Sequence, residues 1–342
     1  GSRYHYECFR CAGCDQAIDG AFSTVSGDYY HPACYETLYV PKCIVCDASL
    51  SGQEFMRHVY FRDEGGYCKH HEGHVKSCFS CNRKEPRSDP FVELPDGRHS
   101  CFDCVSSAIF ESADAKAIYL ETVEFMRTGL GLEIPPGMTD VPVLAVDLAC
   151  LNDQQNVNAF GRHDCGTVCR GLTLSTSRTT IRYFNPGALL WVPRGSDKNS
   201  GNNTRGIPAT HTTKNVTAVL VLFGLPSHLM ASILAHEAMH VWCKLHNSLS
   251  RHELPSLVEE GLCQLVSFHY LEHVDAKCRV ADEKRAKAAW EYKMIKYCKF
   301  AIETDTTPVY GEGFRQASRI CAAIGLSELI NYIGEENSFP CV

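Results

Sequence analysis

The 342-residue chain is 44% hydrophobic and 21% charged, carries a formal net charge of −7 and contains twenty cysteines. That length and apolar content allow two or three domains with ordinary cores, and an acidic balance with no strongly basic stretch argues against a dedicated nucleic-acid binder. The longest apolar run, Ala218 to Leu225, is far too short to span a bilayer, and no signal peptide is read at the N-terminus.

Eleven of the cysteines fall between Cys8 and Cys104, mostly as C-x-x-C pairs or three residues from a histidine. A secreted disulfide framework does not come in that form, whereas zinc sites do. Cys11, Cys14, His31 and Cys34 have the spacing of one site. Cys43, Cys46, Cys68 and His71 have that of a second, with His70 and His74 as rivals of His71 and His99 as a weaker one. Cys78, Cys81, Cys101 and Cys104 make a four-cysteine third. His5 and Cys8 look like the back half of a module and are expected to be orphans. Sites closed by four protein ligands scaffold and bind partners. Zinc-bound thiolates suit a reducing compartment, so the cytoplasm, and also the nucleus, is the expected location.

The spacing predicts small metal-held hairpins up to about Cys104, with turns such as the one at Gly27-Asp28. From Val105 to Met126 apolar residues recur at helical spacing, which marks a domain boundary. A β-rich region is expected next, with strands at Val141 to Leu148, Leu172 to Tyr183 and Ala218 to Leu225. Arg194 to Asn215, rich in Ser, Asn, Gly and Thr, reads as a mobile loop. Helices are expected from Pro226-Ser227 to Lys244 or His246, from Pro255-Ser256 onward, and over Ala281 to Ile302 and Gly313 to Ile333. The reading is an α+β chain: zinc-stabilised modules over 1–40 and 41–107, then a domain of a small β-sheet plus helices over 108–342.

Within that last domain, His236-Glu237-Ala238-Met239-His240 sits in an otherwise apolar helix. Residues four apart share a helix face, so both histidines can reach one metal, with Glu237 beside them to take a proton from water. A hydrolytic zinc site needs a third protein ligand and an open position. Nineteen residues after His240 stands Glu260, followed by Gly261, which would allow close helix packing. Glu259 is its competitor. Glu237 would take the proton of a zinc-activated water and return it to the leaving amine. Tyr310 and Arg315 are candidates to stabilise the oxyanion, Gln264 to hydrogen-bond a ligand, and Gly171 to Ser175 to form an edge that pairs with substrate backbone. About four zinc ions are expected, one catalytic and three structural.

The run His5-x-x-Cys8-x-x-Cys11-x-x-Cys14, closed by His31-x-x-Cys34, resembles a LIM domain lacking its first pair. Together with Tyr67-Cys68-x-x-His71-Glu72, Cys78-x-x-Cys81, Phe223-Gly224-Leu225-Pro226, Ser232-Ile233-Leu234-Ala235-His236-Glu237, Val258-Glu259-Glu260-Gly261 and Pro308-Val309-Tyr310-Gly311, it resembles the plant LIM-domain zinc peptidases that restrain organ growth. That resemblance implies a gluzincin-like metallopeptidase domain behind LIM and LIM-like modules. It implies an endopeptidase regulated by ubiquitin, which acts on growth regulators and ubiquitin-pathway proteins and has ubiquitin and ubiquitin ligases as partners. Carried over, His236, His240 and Glu260 are zinc ligands and Glu237 the base. The family's N-terminal ubiquitin-interacting segments find no match here. The alternative is a LIM-type adaptor with a non-catalytic C-terminal zinc domain, but an adaptor has no need of Glu237 beside two ligating histidines.

Overall fold

The computed structural model describes residues 5, 8–52, 54–158, 169–184, 207–251, 253–281 and 286–341. The chain divides into two compact units, Gly1–Ser106 and Ser107–Val342.

The first unit is a series of short antiparallel ribbons. β1 (Ser23–Val25) pairs with β2 (Asp28–Tyr30) and is followed by helix α1 (Pro32–Tyr39). The turn between the two strands holds Ser26 and Gly27 at φ 50° and 97°, the positive pair that a tight hairpin demands. β3 (Phe55–Arg57) pairs with β4 (Gly66–Cys68), and β5 (Val92–Glu93) with β6 (His99–Ser100), ahead of the short helix α2 (Phe102–Ser106). The cores are tiny. Cys11 clusters with Ile18 and Tyr30, and Cys43 and Cys68 with Leu50 and Tyr67, so the thiols are themselves core residues. Ribbons this small need a metal to hold them.

The second unit opens with β7 (Ala108–Ile109) and helix α3 (Ser112–Thr128), then β8 (Val143–Val146) and helix α4 (Leu148–Asn158). β9 (Gly171–Phe184) and β10 (Ile207–Leu222) follow, then β11 (Leu225–Pro226), which pairs with β7. The remaining elements are α5 (Ser227–Leu245), α6 (Ser256–Ala281), α7 (Ala286–Thr304), α8 (Tyr310–Ile324) and α9 (Leu326–Glu336). Three strands form one sheet in the order β8-β10-β9, with β10 parallel to β8 and antiparallel to β9. Val219 to Leu222 of the central strand are buried, as a strand flanked on both sides should be.

The architecture is α+β as expected, with four local differences. Ala108 and Ile109, read as part of a helix, pair instead with Leu225 and Pro226, and α3 begins only at Ser112. The loop expected over Arg194 to Asn215 is overturned from Ile207 onward. There the chain is a strand paired with β9, the conformation that β-branched threonine favours, while 194–206 lie outside the described residues. The helix expected over Gly313 to Ile333 is two helices, because Gly325 at φ 87° breaks the chain between α8 and α9. Helix α4 adds an element that the sequence pattern does not predict.

Helix α5 is buried almost all round, through Leu229, Met230, Leu234, Ala238, Met239, Val241 and Trp242. On one side Ala231 and Ala235 meet Phe125 of α3 and Tyr270 of α6. Its first amide, at Ser227, donates to the Ser107 carbonyl (2.9 Å), and near its end Trp242 Nε1 donates to the Glu133 carbonyl (2.8 Å). The helix is thereby fixed along its length, which a geometrically demanding site requires.

Candidate metal centres

The first unit gathers three donor sets: Cys11, Cys14, His31 and Cys34; Cys43, Cys46, Cys68 and His71; and Cys78, Cys81, Cys101 and Cys104. In the first, His31 Nε2 donates to the Ala17 carbonyl (3.1 Å), which leaves Nδ1 facing Cys14 Sγ at 3.4 Å. Cys46 Sγ lies 3.9 Å from Cys68 Sγ, and Cys81 Sγ 3.8 Å from Cys101 Sγ. Four sulfurs at about 2.3 Å from one zinc stand about 3.8 Å apart in a tetrahedron, so the spacing fits the ion. Backbone amides point at the sulfurs, His31 N at Cys11 (3.3 Å), Cys68 N at Cys43 (3.4 Å) and Cys101 N at Cys78 (3.3 Å). Such bonds stabilise thiolate, the ligating form. Arg83 adds two more, from Nε to Cys81 Sγ (3.2 Å) and Nη2 to Cys101 Sγ (2.9 Å). In the second set the fold brings in His71 rather than His70 or His74.

In the second unit, His236 and His240 project from one face of α5, their Nε2 atoms 3.2 Å apart. Glu260, near the start of α6, places Oε2 at 3.0 Å from His236 Nε2 and 3.4 Å from His240 Nε2. That oxygen is buried and has no hydrogen-bond partner. A buried carboxylate oxygen is costly unless something positive meets it. Ligands at about 2.0–2.1 Å from a tetrahedral zinc stand about 3.3–3.4 Å apart, close to this triangle. The donor set fits the ion.

Glu259 faces the other nitrogen of His240. Nδ1–H donates to its Oε1 at 2.8 Å, and Lys244 Nζ reaches the same oxygen at 2.9 Å. Burial alone would raise both carboxyls, but His240 and Lys244 hold Glu259, and His240 and His236 hold Glu260, well below the usual carboxylate range. Burial alone would lower His240, yet Cys263, Glu260 and Glu259 around it raise it well above the usual histidine range. The pocket is built for positive charge.

Cys263 Sγ also comes within 4.8 Å of donor nitrogens on both histidines. Burial pushes its thiol up to about 12, while Glu260 Oε2 lies 3.0 and 3.4 Å from the two ring nitrogens.

Glu237 lies between the two histidines in sequence and is 5% exposed. Thr173 Oγ1 donates to its Oε2 at 2.6 Å. Tyr310, the first residue of α8, has its ring centroid 6.2 Å from that of His236, and burial, with Glu260 nearby, keeps its hydroxyl protonated. Arg315 is turned elsewhere: it bonds Glu312 (3.1 Å) and the Asp305 carbonyl (2.7 Å) on an exposed face. Gln264 is half-buried, and the contact to the outer nitrogen of His240 comes from Glu259, itself held by Lys244. Close packing at Gly261 is confirmed in detail, since a Cβ there would stand 2.6 Å from the Gly313 carbonyl oxygen of α8.

β9, which carries Gly171 to Ser175, is an edge strand of its sheet. It runs against α5: a Cβ on Gly171 would lie 2.5 Å from Ile233 Cγ2 and 2.9 Å from Glu237 Oε1. Cys169, just ahead of the strand, donates to the Gly171 carbonyl (2.9 Å), and burial together with the negative field of Glu237 pushes its thiol up to about 11. Sequence reasoning missed Thr173, Cys169, Lys244 and Cys263. Helical spacing could have flagged Lys244 (four after His240) and Cys263 (three after Glu260), but nothing local marks the other two.

Comparison with known proteins agrees with this layout. A family model described as "DA1-like: Protein DA1" matches residues 137–336, and a LIM domain model matches residues 11–76. The chain is 34% identical to "Protein DA1" of Arabidopsis thaliana over 363 residues, covering 99% of this chain and 64% of that protein. It is 32% identical to "Protein DA1-related 1" of the same plant, covering 99% and 63%. With "LIM domain-containing protein HDR3" of Oryza sativa subsp. japonica it shares 31%, covering 99% and 70%. The chain thus spans slightly under two thirds of the first two relatives.

Proposed function

This chain belongs to the DA1-like family of LIM-domain proteins, and on that premise we propose that it is a zinc-dependent endopeptidase. The observation that carries the reading is the triangle of His236, His240 and Glu260 with the Glu237 carboxylate in the next position along the same helix.

In this reading His236 Nε2, His240 Nε2 and Glu260 Oε2 hold one catalytic zinc. When bound, the ion supplies an activated water and polarises the scissile carbonyl. Glu259 keeps His240 in the tautomer whose Nε2 faces the site. The free edge of β9 offers main-chain groups to an extended peptide, which aligns its carbonyl beside Glu237. Glu237 takes a proton from the attacking water and delivers it to the leaving amine. Tyr310 would donate to the developing oxyanion, a role supported by its retained hydroxyl proton and by its ring 6.2 Å from that of His236. The three sets in the first unit hold structural zinc, about three ions per chain.

Regulation by ubiquitin, partnership with ubiquitin and its ligases, and cleavage of growth regulators and ubiquitin-pathway proteins form part of the same proposal and rest on family membership. So does a place in the cytoplasm and nucleus, supported by the many reduced thiols that the zinc sites need.

The test pairs metal content with proteolysis. The protein should hold about four zinc ions, and a His236→Ala/His240→Ala double variant should lose one and stay folded. Wild type should cleave fluorescein-labelled casein while Glu237→Gln does not. Equal zinc in the folded double variant, or equal cleavage by Glu237→Gln, would overturn the proposal.

A further inference from the structure

Glu237 is a buried carboxylate on a buried helix, and such a group must be paired. His236 and His240 flank it in the helix, but the bond that fixes its carboxylate comes from the sheet. Thr173 has one hydroxyl proton to give. Its Oγ1 is 3.3 Å from the Glu237 carbonyl oxygen and 2.6 Å from Oε2, so the proton goes to the carboxylate. A separation of 2.6 Å is that of a charge-assisted O–H···O⁻ bond, among the strongest available to a neutral side chain.

Thr173 is held in place from behind. It pairs with Val219 of the buried central strand, so its position along β9 is set by the sheet register. Gly171, two residues earlier and hence on the same strand face, would drive a Cβ against Ile233 and to within 2.9 Å of Glu237 Oε1. The strand therefore treats the two carboxylate oxygens differently: a hydroxyl ties down Oε2, and an absent side chain leaves room at Oε1.

We propose that Thr173 is a positioning residue for Glu237, tethering Oε2 to the edge strand so that Oε1 is the oxygen presented to the reacting water. The strand that would align the substrate and the carboxylate that would serve it are then one mechanical piece. Any shift of β9 along or away from α5 moves the base with it. The kinetic part of this inference rests on the peptidase reading; the structural part does not.

Zinc-loaded wild type, Thr173→Val, Thr173→Ser and Glu237→Gln would be compared as full chains, on labelled casein and by crystallography. Valine keeps the shape and removes the hydroxyl; serine keeps the hydroxyl and removes the methyl. Thr173→Val should lower kcat about 10- to 100-fold, with KM within about twofold and zinc content unchanged, and Thr173→Ser should recover most of kcat. In the crystal, the Glu237 carboxylate should leave its place in Thr173→Val and keep it in Thr173→Ser. A carboxylate that stays put in Thr173→Val would overturn the proposal whatever the kinetics, and so would a Thr173→Ser as slow as Thr173→Val. If wild type cleaves no faster than Glu237→Gln while the carboxylate does move in Thr173→Val, the peptidase reading fails and the tether stands.

Discussion

Glu259 Oε1 lies 2.8 Å from His240 Nδ1, on the side of the ring away from the metal-facing nitrogen. The residue next to the proposed ligand Glu260 thus orients a different proposed ligand, His240. Outer carboxylates of this kind fix ring orientation and raise ligand basicity. Glu259→Gln should weaken zinc binding at this centre about 10- to 100-fold, measured by competition with a chromophoric chelator. The first unit's zinc should be retained. Glu259 can be lost without loss of the donor triangle, so the folded state should survive.

Tyr310 and Arg315 should separate cleanly. Tyr310→Phe removes the proposed oxyanion donor, and losing such a donor typically costs about 10²- to 10³-fold in kcat. Arg315→Ala removes an exposed ion pair with Glu312 and a bond to the Asp305 carbonyl. It should leave kcat within about threefold and stability within about 0.5 kcal/mol. Steady-state kinetics and thermal melting on both variants check this.

Gly313→Ala should damage the site without touching it. Its Cβ would stand 2.6 Å from the Leu257 carbonyl and 3.0 Å from Gly261 Cα, backbone atoms of the helix that carries Glu260. Overpacking of this sort costs about 1–3 kcal/mol, and relief requires α8 to move away from α6. A lower melting temperature together with weaker zinc binding at the second-unit centre is expected. A large, flexible neighbour would have allowed escape; a helix backbone does not.

His58 gives the first unit an acid-sensitive joint. Its Nδ1 accepts from the Tyr60 and Phe61 amides (3.0 and 2.9 Å) and its Nε2–H donates to the Cys81 carbonyl (2.8 Å), an arrangement only the neutral ring can make. Burial, the leading cause, and Arg83 nearby hold its pKa below 6.5 despite the Cys81 bond. The unfolded chain therefore binds the proton first, so stability is full above pH 6.5 and falls as pH drops toward the folded value. Urea titrations from pH 7 to pH 5.5 should show a steeper loss for wild type than for His58→Asn, each measured at the same zinc loading.

Local periodicity made part of the second-unit site legible. His236, Glu237 and His240 share one helix, so helical spacing assembles those three, while Glu260 was reached only through its separation from them, and the packing of α6 on α5 decides between it and Glu259. The thiol sets of the first unit were legible for the same reason, because short ligand spacings leave little choice of partner. His71 was separated from His70 and His74 only by the fold. Thr173 meets Glu237 across 64 residues through a strand register that no short window encodes. Ile207 to Asn215 was misread because its threonines, asparagine and lysine suit a loop until a partner strand is supplied. Arg315 drew notice through proximity in sequence to Tyr310, but α8 turns the two toward different neighbours.

Arg83 reaches in three directions. It bonds two sulfurs of the third zinc set, forms an ion pair with Asp103 beside that set, and forms another with Glu64, which lies in the chain between Cys46 and Cys68 of the second. Removing the third ion would strip the guanidinium of its anionic thiolates, and Glu64 would then hold a side chain no longer anchored on the far side. Occupancy of one metal site is therefore felt at the next. The second and third modules should unfold as a single cooperative block, and a cut between Cys68 and Cys78 should leave two weakened fragments, not two independent domains.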